Sequence, residues 1–241
     1  MLDWHGATQA VIHHPLFGIG ITLAAYQIVI AAYEKTRWIF LQPVLVSMLV
    51  VVGVLLSCGR TYAEYRKSTE IMNILLGPAT VALAVPLYLT LRRIRQLFWP
   101  TFTTLVVGGL FATLCCLVLG WWFGAEHMIL MTLAPKSVTS PIAMLVAEQI
   151  GGVAALAAVF VLITGVIGAI FGPALLTRLG VRSPEARGMA LGLTAHAVGT
   201  SVALQESEEC GAFAALAMSL MGTATALLLP LAVSLWMVFQ G

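Results

Sequence analysis

The stretch APKSVTSPIAMLVAEQIGG, Ala134 to Gly152, combines the apolar character of a membrane span with residues that interrupt one. It lies between two long apolar runs, yet it carries a lysine, a glutamate and two prolines. A proline removes a backbone donor and disfavours helix in the residue before it. Pro135 and Pro141 therefore predict a helix break, and Lys136 leaves two pieces that are each too short to span a bilayer.

The composition around this stretch is that of an integral membrane protein. Of 241 residues, 60% are hydrophobic and only 9% are charged, whereas roughly 25% are charged in a soluble domain. Runs without charge, each near or above the ~17 residues that a spanning helix needs, are Leu16–Tyr33, Trp38–Gly59, Ile71–Leu91, Gln96–Ala125, Gln149–Thr177, Met189–Gln205 and Cys210–Gly241. We predict an all-α polytopic membrane protein with about seven to eight transmembrane segments and broken or re-entrant helices. The net charge of +2 gives no reason to expect a nucleic-acid partner.

The basic residues predict which loops face the cytoplasm. They cluster at Lys35 and Arg37, at Arg92, Arg93 and Arg95, and at Arg178, Arg182 and Arg187, and short cytoplasmic loops of membrane proteins are enriched in such residues. Three apolar stretches separate the second cluster from the third, and three crossings would leave Arg178 outside. The middle stretch, 127–149, is therefore expected to enter the membrane and return.

A weak internal similarity predicts a second interrupted segment. LGPATV at 76–81 resembles LAPKSV at 133–138, and TVAL at 80–83 resembles SVAL at 201–204. Gly77 and Pro78 then mark a helix break comparable to the one at Pro135. Interrupted segments at comparable places in two halves, here about 1–125 and 126–241 of one domain, indicate a transporter's binding site. Whether the halves are inverted stays open.

Lys136 is the first candidate for a substrate contact. An unpaired charge inside a bilayer is costly, which makes an intramembrane lysine a functional candidate. Ser137, Thr139 and Ser140 supply hydroxyl groups beside it, and the helix after the break presents free N–H groups. This set suits a small carboxylate. The alternative is that Lys136 pairs with Glu148, or with an acid in a loop, and only holds two helices together.

A second candidate group lies in the stretch TAHAVGTS, Thr194 to Ser201. Gly199 is expected to loosen the helix, while His196, Thr200 and Ser201 offer polar side chains for substrate binding. His196 and Thr200 are four apart, which places them on one helical face. A histidine here carries a coupled proton or serves as a neutral hydrogen-bond partner between helices; both interpretations stay open.

Glu148 is the remaining candidate for proton coupling, against a simpler interpretation as an exposed residue at a helix end. The four cysteines, Cys58, Cys115, Cys116 and Cys210, lack metal-ligand spacing. We therefore expect no metal and no cofactor. No nucleotide-binding loop or nucleophile motif is present, so the sequence does not predict an enzyme.

Three ordered stretches resemble one known family. LLGPATVALAVPLY (Leu75–Tyr88), APKSVTSPIAM with EQIGG (Ala134–Gly152), and RGMALGLTAHAVGTSVALQESEECGAFAALAM (Arg187–Met218) are similar to the signature blocks of LrgB/CidB membrane proteins. The resemblance covers nearly the whole chain. It implies a multi-pass protein of the bacterial cytoplasmic membrane that works with a small LrgA/CidA-like membrane partner, as part of a homo- or hetero-oligomer.

The resemblance implies two different functions. Bacterial members are described as antiholin-like or holin-like regulators of murein hydrolase export and cell lysis. Other members are carriers: the plastid relatives move glycolate and glycerate, and bacterial pairs have been tied to pyruvate uptake. Interrupted helices with buried polar groups favour a carrier of small monocarboxylates (pyruvate, glycolate, glycerate or lactate). A purely structural partner protein would leave Lys136 unexplained.

Overall fold

The computed structural model describes residues 10–36, 41–82 and 84–240, so Arg37 of the first basic cluster and Leu83 of the weak repeat lie outside the described residues. Throughout the described ranges the regular elements are helices. The all-α prediction is therefore confirmed. Contacts divide the chain into two compact units, Met1–Ala82 and Leu83–Gly241.

The first unit contains four described helices: α1 (Phe17–Thr36), α2 (Pro43–Ser57), α3 (Tyr62–Ser68) and α4 (Glu70–Ala82). Helices α1 and α2 pack through a small buried cluster of Ala25, Val51 and Leu55. Helix α4 continues through Gly77 and Pro78, so the helix break predicted there is wrong. Prolines are tolerated inside membrane helices when neighbouring groups satisfy the freed carbonyl.

The second unit contains nine described α-helices and one π-helical turn. They are α5 (Ala84–Leu89), α6 (Leu91–Gln96), α7 (Phe98–Thr103), the π-turn Thr104–Gly108, α8 (Gly109–Trp122), α9 (His127–Leu133), α10 (Ser140–Gln149), α11 (Ala154–Arg178), α12 (Pro184–Glu206) and α13 (Glu208–Gln240). Helix α7, the π-turn and α8 form one continuous apolar helix of 25 residues, Phe98–Trp122, which we call the 98–122 span.

Fewer helices than predicted are long and apolar enough to cross a membrane. Among the described residues there are four: Phe17–Thr36, Phe98–Trp122, Ala154–Arg178 and Glu208–Trp236. Helices α2 and α3 add a fifth if they form one broken span, because they meet at a bend of 118°. The structure supports four or five candidate spans, and the predicted count of seven to eight is not reached.

Residues 127–149 form a helical hairpin, which we call hairpin 1. Helix α9 ends at Leu133, and α10 begins at Ser140. The chain then returns to α9, because the backbone N–H of Val153 donates to Oγ1 of Thr132 at 2.9 Å. Ala134 also shares a buried cluster with Val146 and Ile150, near the end of α10. This segment turns back on itself, as expected if the arginine clusters at 92–95 and at 178–187 lie on the same side of the membrane.

Helix α12 is a second hairpin, which we call hairpin 2, with its turn at Ala195 and His196. Both residues leave helical geometry, with φ −116° and ψ 15° at Ala195 and φ 42° and ψ −129° at His196. Arg187 and Glu206 would lie roughly 28 Å apart in a straight helix, yet the Arg187 guanidinium donates to both Glu206 oxygens at 2.7 and 2.8 Å. The run from Met189 to Gln205 therefore does not cross the membrane.

The two hairpins pack on α11 from opposite ends. Hairpin 1 contacts the first half of α11, where Ala143 and Ala147 share a buried cluster with Ala157 and Val161. Hairpin 2 contacts the other end, where Arg187 donates to Oγ1 of Thr177 at 3.2 Å. Both turns thus point toward the middle of α11.

The two other spans of this unit also pass from one hairpin to the other. Helix α13 starts beside hairpin 2, where Cys210 and Leu191 share a buried cluster. It ends beside hairpin 1, where Leu229 and Val233 pack against the cluster of Ala134. The 98–122 span does the same, because Leu97, just before it, packs against the Met189 cluster of hairpin 2 and Leu117 packs against the cluster of Ala134. Three spans therefore frame two oppositely directed hairpins.

Candidate functional site at the hairpin turns

The turns of both hairpins meet α11 at neighbouring positions. Val138, in the turn of hairpin 1, belongs to the same buried cluster as Val161. The carbonyl oxygen of Val161 lies 3.0 Å from Nε2 of His196, in the turn of hairpin 2. One residue of α11 thus contacts the turns of both hairpins.

The 98–122 span indicates how deep these turns lie. Its ends carry exposed aromatic residues, including Trp99 and Trp122, and tryptophan is enriched at both membrane–water interfaces. Gly109, near the middle of this span, is in contact distance of Met221, which belongs to the Val138 cluster. The hairpin turns therefore lie near mid-depth, where irregular backbone is tolerated only inside protein or beside a watery cavity.

Lys136 lies in the turn of hairpin 1 and lines a cavity of about 720 Å³. It is half-buried, and its Nζ donates to Oγ of Ser137 at 3.2 Å. No carboxylate of the described residues lies within ion-pair distance of it. Glu148 is exposed at the end of α10, so the predicted alternative of a Lys136–Glu148 pair is wrong.

The cavity lies between the 98–122 span, the turn of hairpin 1 and the first limb of hairpin 2. Lys136 is the charged side chain in its lining, and Thr104 and Thr194 are its hydroxyl-bearing residues. The rest of the lining is small or apolar: Gly108, Phe111, Ala112, Cys115, Cys116, Leu119, Gly120, Phe123, Leu133, Met189, Ala190 and Leu193. The site is a largely apolar groove with one cation.

The other residues predicted for this site lie at its margin. Ser137 is buried, and Thr139 and Ser140 are half-buried at the start of α10. The Thr139 side chain makes no capping hydrogen bond to this helix. Thr200 and Ser201 bond to their own helix, where their hydroxyls donate to the carbonyls of His196 and Val198 at 2.8 and 2.7 Å, and Oγ1 of Thr200 lies 3.8 Å from Sδ of Met218 in α13. None of these five residues lines the cavity.

His196 is buried and holds the turn of hairpin 2 against α11. A carbonyl can only accept, so Nε2 carries the proton in its 3.0 Å hydrogen bond to Val161. A Cβ atom on Gly165 would come within 2.7 Å of the imidazole Cε1, so that glycine allows the ring to approach α11. The geometry is that of a hydrogen-bond partner between helices.

The sequence predicted that Gly199 loosens the helix, but the break of hairpin 2 lies three to four residues earlier, at Ala195 and His196. Gly199 is helical and buried in the second limb. A Cβ atom there would collide with the carbonyl oxygen of Leu191 in the first limb. The glycine is therefore needed for the close approach of the two limbs and does not form the break.

Ion pairs join the elements at the open end of hairpin 2. Arg93 of α6 donates from Nε and Nη2 to Oε1 of Glu185, at 2.8 and 2.6 Å, and Nε lies 3.7 Å from Glu209. A hydrogen bond from its own backbone N–H is the largest cause that lowers the pKa of Glu185; burial opposes it, and the hydrogen bonds and charge of Arg93 add to the lowering. The carboxyl stays charged, which maintains the pairs.

Sequence reasoning missed Thr104, Thr194 and the two cysteines of the cavity. Thr104 begins a π-helical turn, and such turns often occur at functional sites; nothing in the sequence around it signals the irregularity. Thr194 directly precedes the turn of hairpin 2, whereas the residues predicted for the site, Thr200 and Ser201, follow that turn. Among the described residues, no group of three His, Cys, Asp or Glu side chains could hold a metal ion.

The fold and the site define a polytopic α-helical membrane protein in which the turns of two opposed helical hairpins meet at one span, next to a groove that contains Lys136. The sequence profile of the LrgB-like family matches residues 22–235. The chain belongs to this family.

Individual relatives agree with that assignment. The uncharacterized protein YxaC of Bacillus subtilis (strain 168) is 36% identical over 200 residues, covering 83% of this chain and 87% of the relative. The antiholin-like protein LrgB of the same organism is 30% identical over 222 residues, covering 92% and 96%. The antiholin-like protein LrgB of Bacillus cereus (strain B4264) is 29% identical over 218 residues, covering 90% and 95%. No solved structure matches the chain.

Proposed function

We propose that the protein carries small monocarboxylates, of the pyruvate, lactate, glycolate or glycerate type, across the bacterial cytoplasmic membrane. The observation that supports this most is the arrangement of the two hairpins. They enter from opposite ends of α11, their turns lie together near mid-depth, and Lys136 at one turn has no carboxylate partner among the described residues. Interrupted helices that meet at the membrane centre are the usual setting of a transporter's substrate site.

In this proposal Lys136 binds the carboxylate. Among the described residues its ammonium group donates to the neutral hydroxyl of Ser137 alone, so a substrate anion would supply the missing counter-charge. Thr194 lines the same cavity, and because its proton is bonded to the carbonyl of Ala190, its oxygen is left to accept a hydrogen bond from a substrate hydroxyl. His196 positions the turn, and Glu148 stays a candidate for proton coupling from the exposed end of hairpin 1.

We also propose that a small LrgA/CidA-like membrane protein is required for full activity. Membership of the LrgB-like family supports this partner.

The first test is uptake of labelled pyruvate, lactate and glycolate into vesicles that contain the protein, with and without the partner. Lys136→Ala is compared with wild type at matched membrane levels, and Lys67→Ala, an exposed lysine of α3, serves as the matched control. Hydrogen bonds to charged groups contribute about 1.5–3 kcal/mol, so Lys136→Ala is expected to raise the half-saturating concentration at least about tenfold, and Lys67→Ala to leave it unchanged. No saturable uptake by folded wild type with its partner would overturn the carrier.

A second candidate function is antiholin-like regulation of murein hydrolase activity and lysis, which the names of the Bacillus relatives favour. Deleting the gene should then speed detergent-induced lysis of the host, and wild type should restore the slow rate. Complementation by Lys136→Ala separates the two functions. Full rescue would make regulation independent of the anion site, whereas failure would make the lysis phenotype a consequence of transport.

A further inference from the structure

The cavity around Lys136 is larger and more apolar than a three-carbon acid requires. Its volume of about 720 Å³ falls in the range of sites that hold drug-sized ligands, which is about 300–1,000 Å³. It is an open groove that runs along the 98–122 span and the residue after it, from Thr104 to Phe123, a rise of roughly 28 Å, and Phe111 and Phe123 in its lining are exposed. A glycolate or pyruvate bound at Lys136 would leave most of this space unfilled.

The lining determines which kind of ligand would fill the rest. Beyond Lys136, Thr104 and Thr194, the larger side chains are Phe111, Leu119, Phe123, Met189 and Leu193. Hydroxyl groups along a ligand would lose their water there without gaining partners, which opposes binding. Methylene groups of a ligand would favour binding there, since each buried methylene raises the affinity by about fourfold.

The position of Lys136 argues against an anionic phospholipid as the ligand. Lys136 lines the same cavity as Cys116, and Cys116 is six residues before the aromatic end of the span at Trp122, or about 9 Å deeper. Phospholipid head groups lie at the aromatic belt. A free acid with its carboxylate at Lys136 has no such restriction.

We propose that this cavity binds monocarboxylates with an aliphatic tail of four or more carbons more tightly than it binds two- and three-carbon acids such as glycolate and pyruvate. The carboxylate pairs with Lys136, and the tail lies along Phe111, Ala112 and Leu119. The proposal rests on the proposed function for the role of Lys136 and adds the substrate class.

Cys116 allows binding to be measured separately from transport. In a Cys58→Ser, Cys115→Ser variant the half-buried Cys116 is the cysteine of the cavity that remains, and Cys210 is buried in hairpin packing. The purified protein in lipid nanodiscs is treated with a small maleimide in the presence of pyruvate, 2-oxobutanoate, 2-oxopentanoate or 2-oxohexanoate. The acid concentration that halves the labelling rate is recorded for each.

We expect this concentration to fall by about fourfold for each added methylene. Neutral 2-hexanone should protect far less than 2-oxohexanoate, and Lys136→Gln should remove the difference between them. Ala112→Phe, inside the cavity, should abolish the dependence on chain length, while Leu114→Phe on the exposed face of the same helix should not.

Two results would overturn the proposal: protection that does not improve with chain length, or equal protection by the ketone and the acid. The vesicle assay above distinguishes this failure from that of the carrier. Pyruvate uptake that depends on Lys136, with no gain for longer acids, leaves the carrier in place and removes the chain-length preference. Protection that follows chain length and Lys136, without uptake of any acid, leaves the binding site in place and removes the carrier.

Discussion

At the residue scale, Gly199 allows the two limbs of hairpin 2 to meet. Its Cα faces the backbone carbonyl of Leu191, and backbone cannot move aside as a flexible side chain can. The neighbouring turn residue His196 has φ 42°, the one positive φ of a residue other than glycine among those described. Such a conformation costs about 1–3 kcal/mol, so the contacts of the limbs and the hydrogen bond to Val161 must offset it.

Gly199→Ala is expected to destabilise the protein by about 1–3 kcal/mol, because an added methyl group overpacks the hairpin. Thermal unfolding in detergent measures this, with Gly20→Ala as the control: Gly20 is also helical and has no atom within 4 Å of an added Cβ. A Gly199→Ala protein as stable as the control would show that the limbs do not pack as closely as described.

At the element scale, hairpin 2 is fastened at its open end by Arg187. The guanidinium donates to both oxygens of Glu206 across the limbs, to Thr177 of α11 and to the carbonyl of Val181. The side chains of Arg187 and Glu206 are only 14% and 26% exposed, which limits solvent screening of the pair. One side chain thus joins both limbs of the hairpin to α11.

Arg187→Ala is expected to cost about 2 kcal/mol of stability, since it removes charge-assisted hydrogen bonds and leaves Glu206 without its partner. Hydrogen exchange should increase in residues 197–206 more than in α11. Arg182→Ala, an exposed arginine of the adjacent loop, is the control and should change neither quantity. Uniform loss of protection across the second unit would instead indicate that hairpin 2 has no independent mobility.

The two hairpins differ in how far the sequence could predict them. Hairpin 1 could be predicted because Pro135, Lys136 and Pro141 interrupt an apolar run. The basic loops also require an even number of crossings between the arginines at 92–95 and Arg178. Hairpin 2 has neither signal: Met189–Gln205 is free of charge and of proline, and long enough to span. Its turn depends on tertiary contacts of His196 with α11, which no local pattern encodes. The same limit explains why Thr194 was missed and Thr200 was assigned to the site.

At the scale of the second unit, the two hairpins make the number of membrane crossings agree with the positions of the basic loops. Each hairpin enters and leaves on the same side, so among the described residues of this unit the helices long and apolar enough to cross are the 98–122 span, α11 and α13. The arginine cluster at 92–95 then lies on the same side as Arg178 and Arg182, because two spans and one hairpin, hairpin 1, separate them in the sequence. The positive-inside rule places that side in the cytoplasm, with hairpin 2 entering from it and hairpin 1 from the opposite side.

Cysteine accessibility tests this topology because each hairpin has two ends. Glu126→Cys and Gln149→Cys flank hairpin 1, while Arg182→Cys and Glu208→Cys flank hairpin 2, and all four positions are exposed. In intact cells a membrane-impermeant maleimide should label the first pair and not the second, and permeabilised cells should label all four above the parent background. Labelling that splits either pair would mean that the hairpin between them crosses the membrane. Because a crossing would move Lys136 or His196 relative to the other turn, such a result would also separate the two halves of the proposed substrate site.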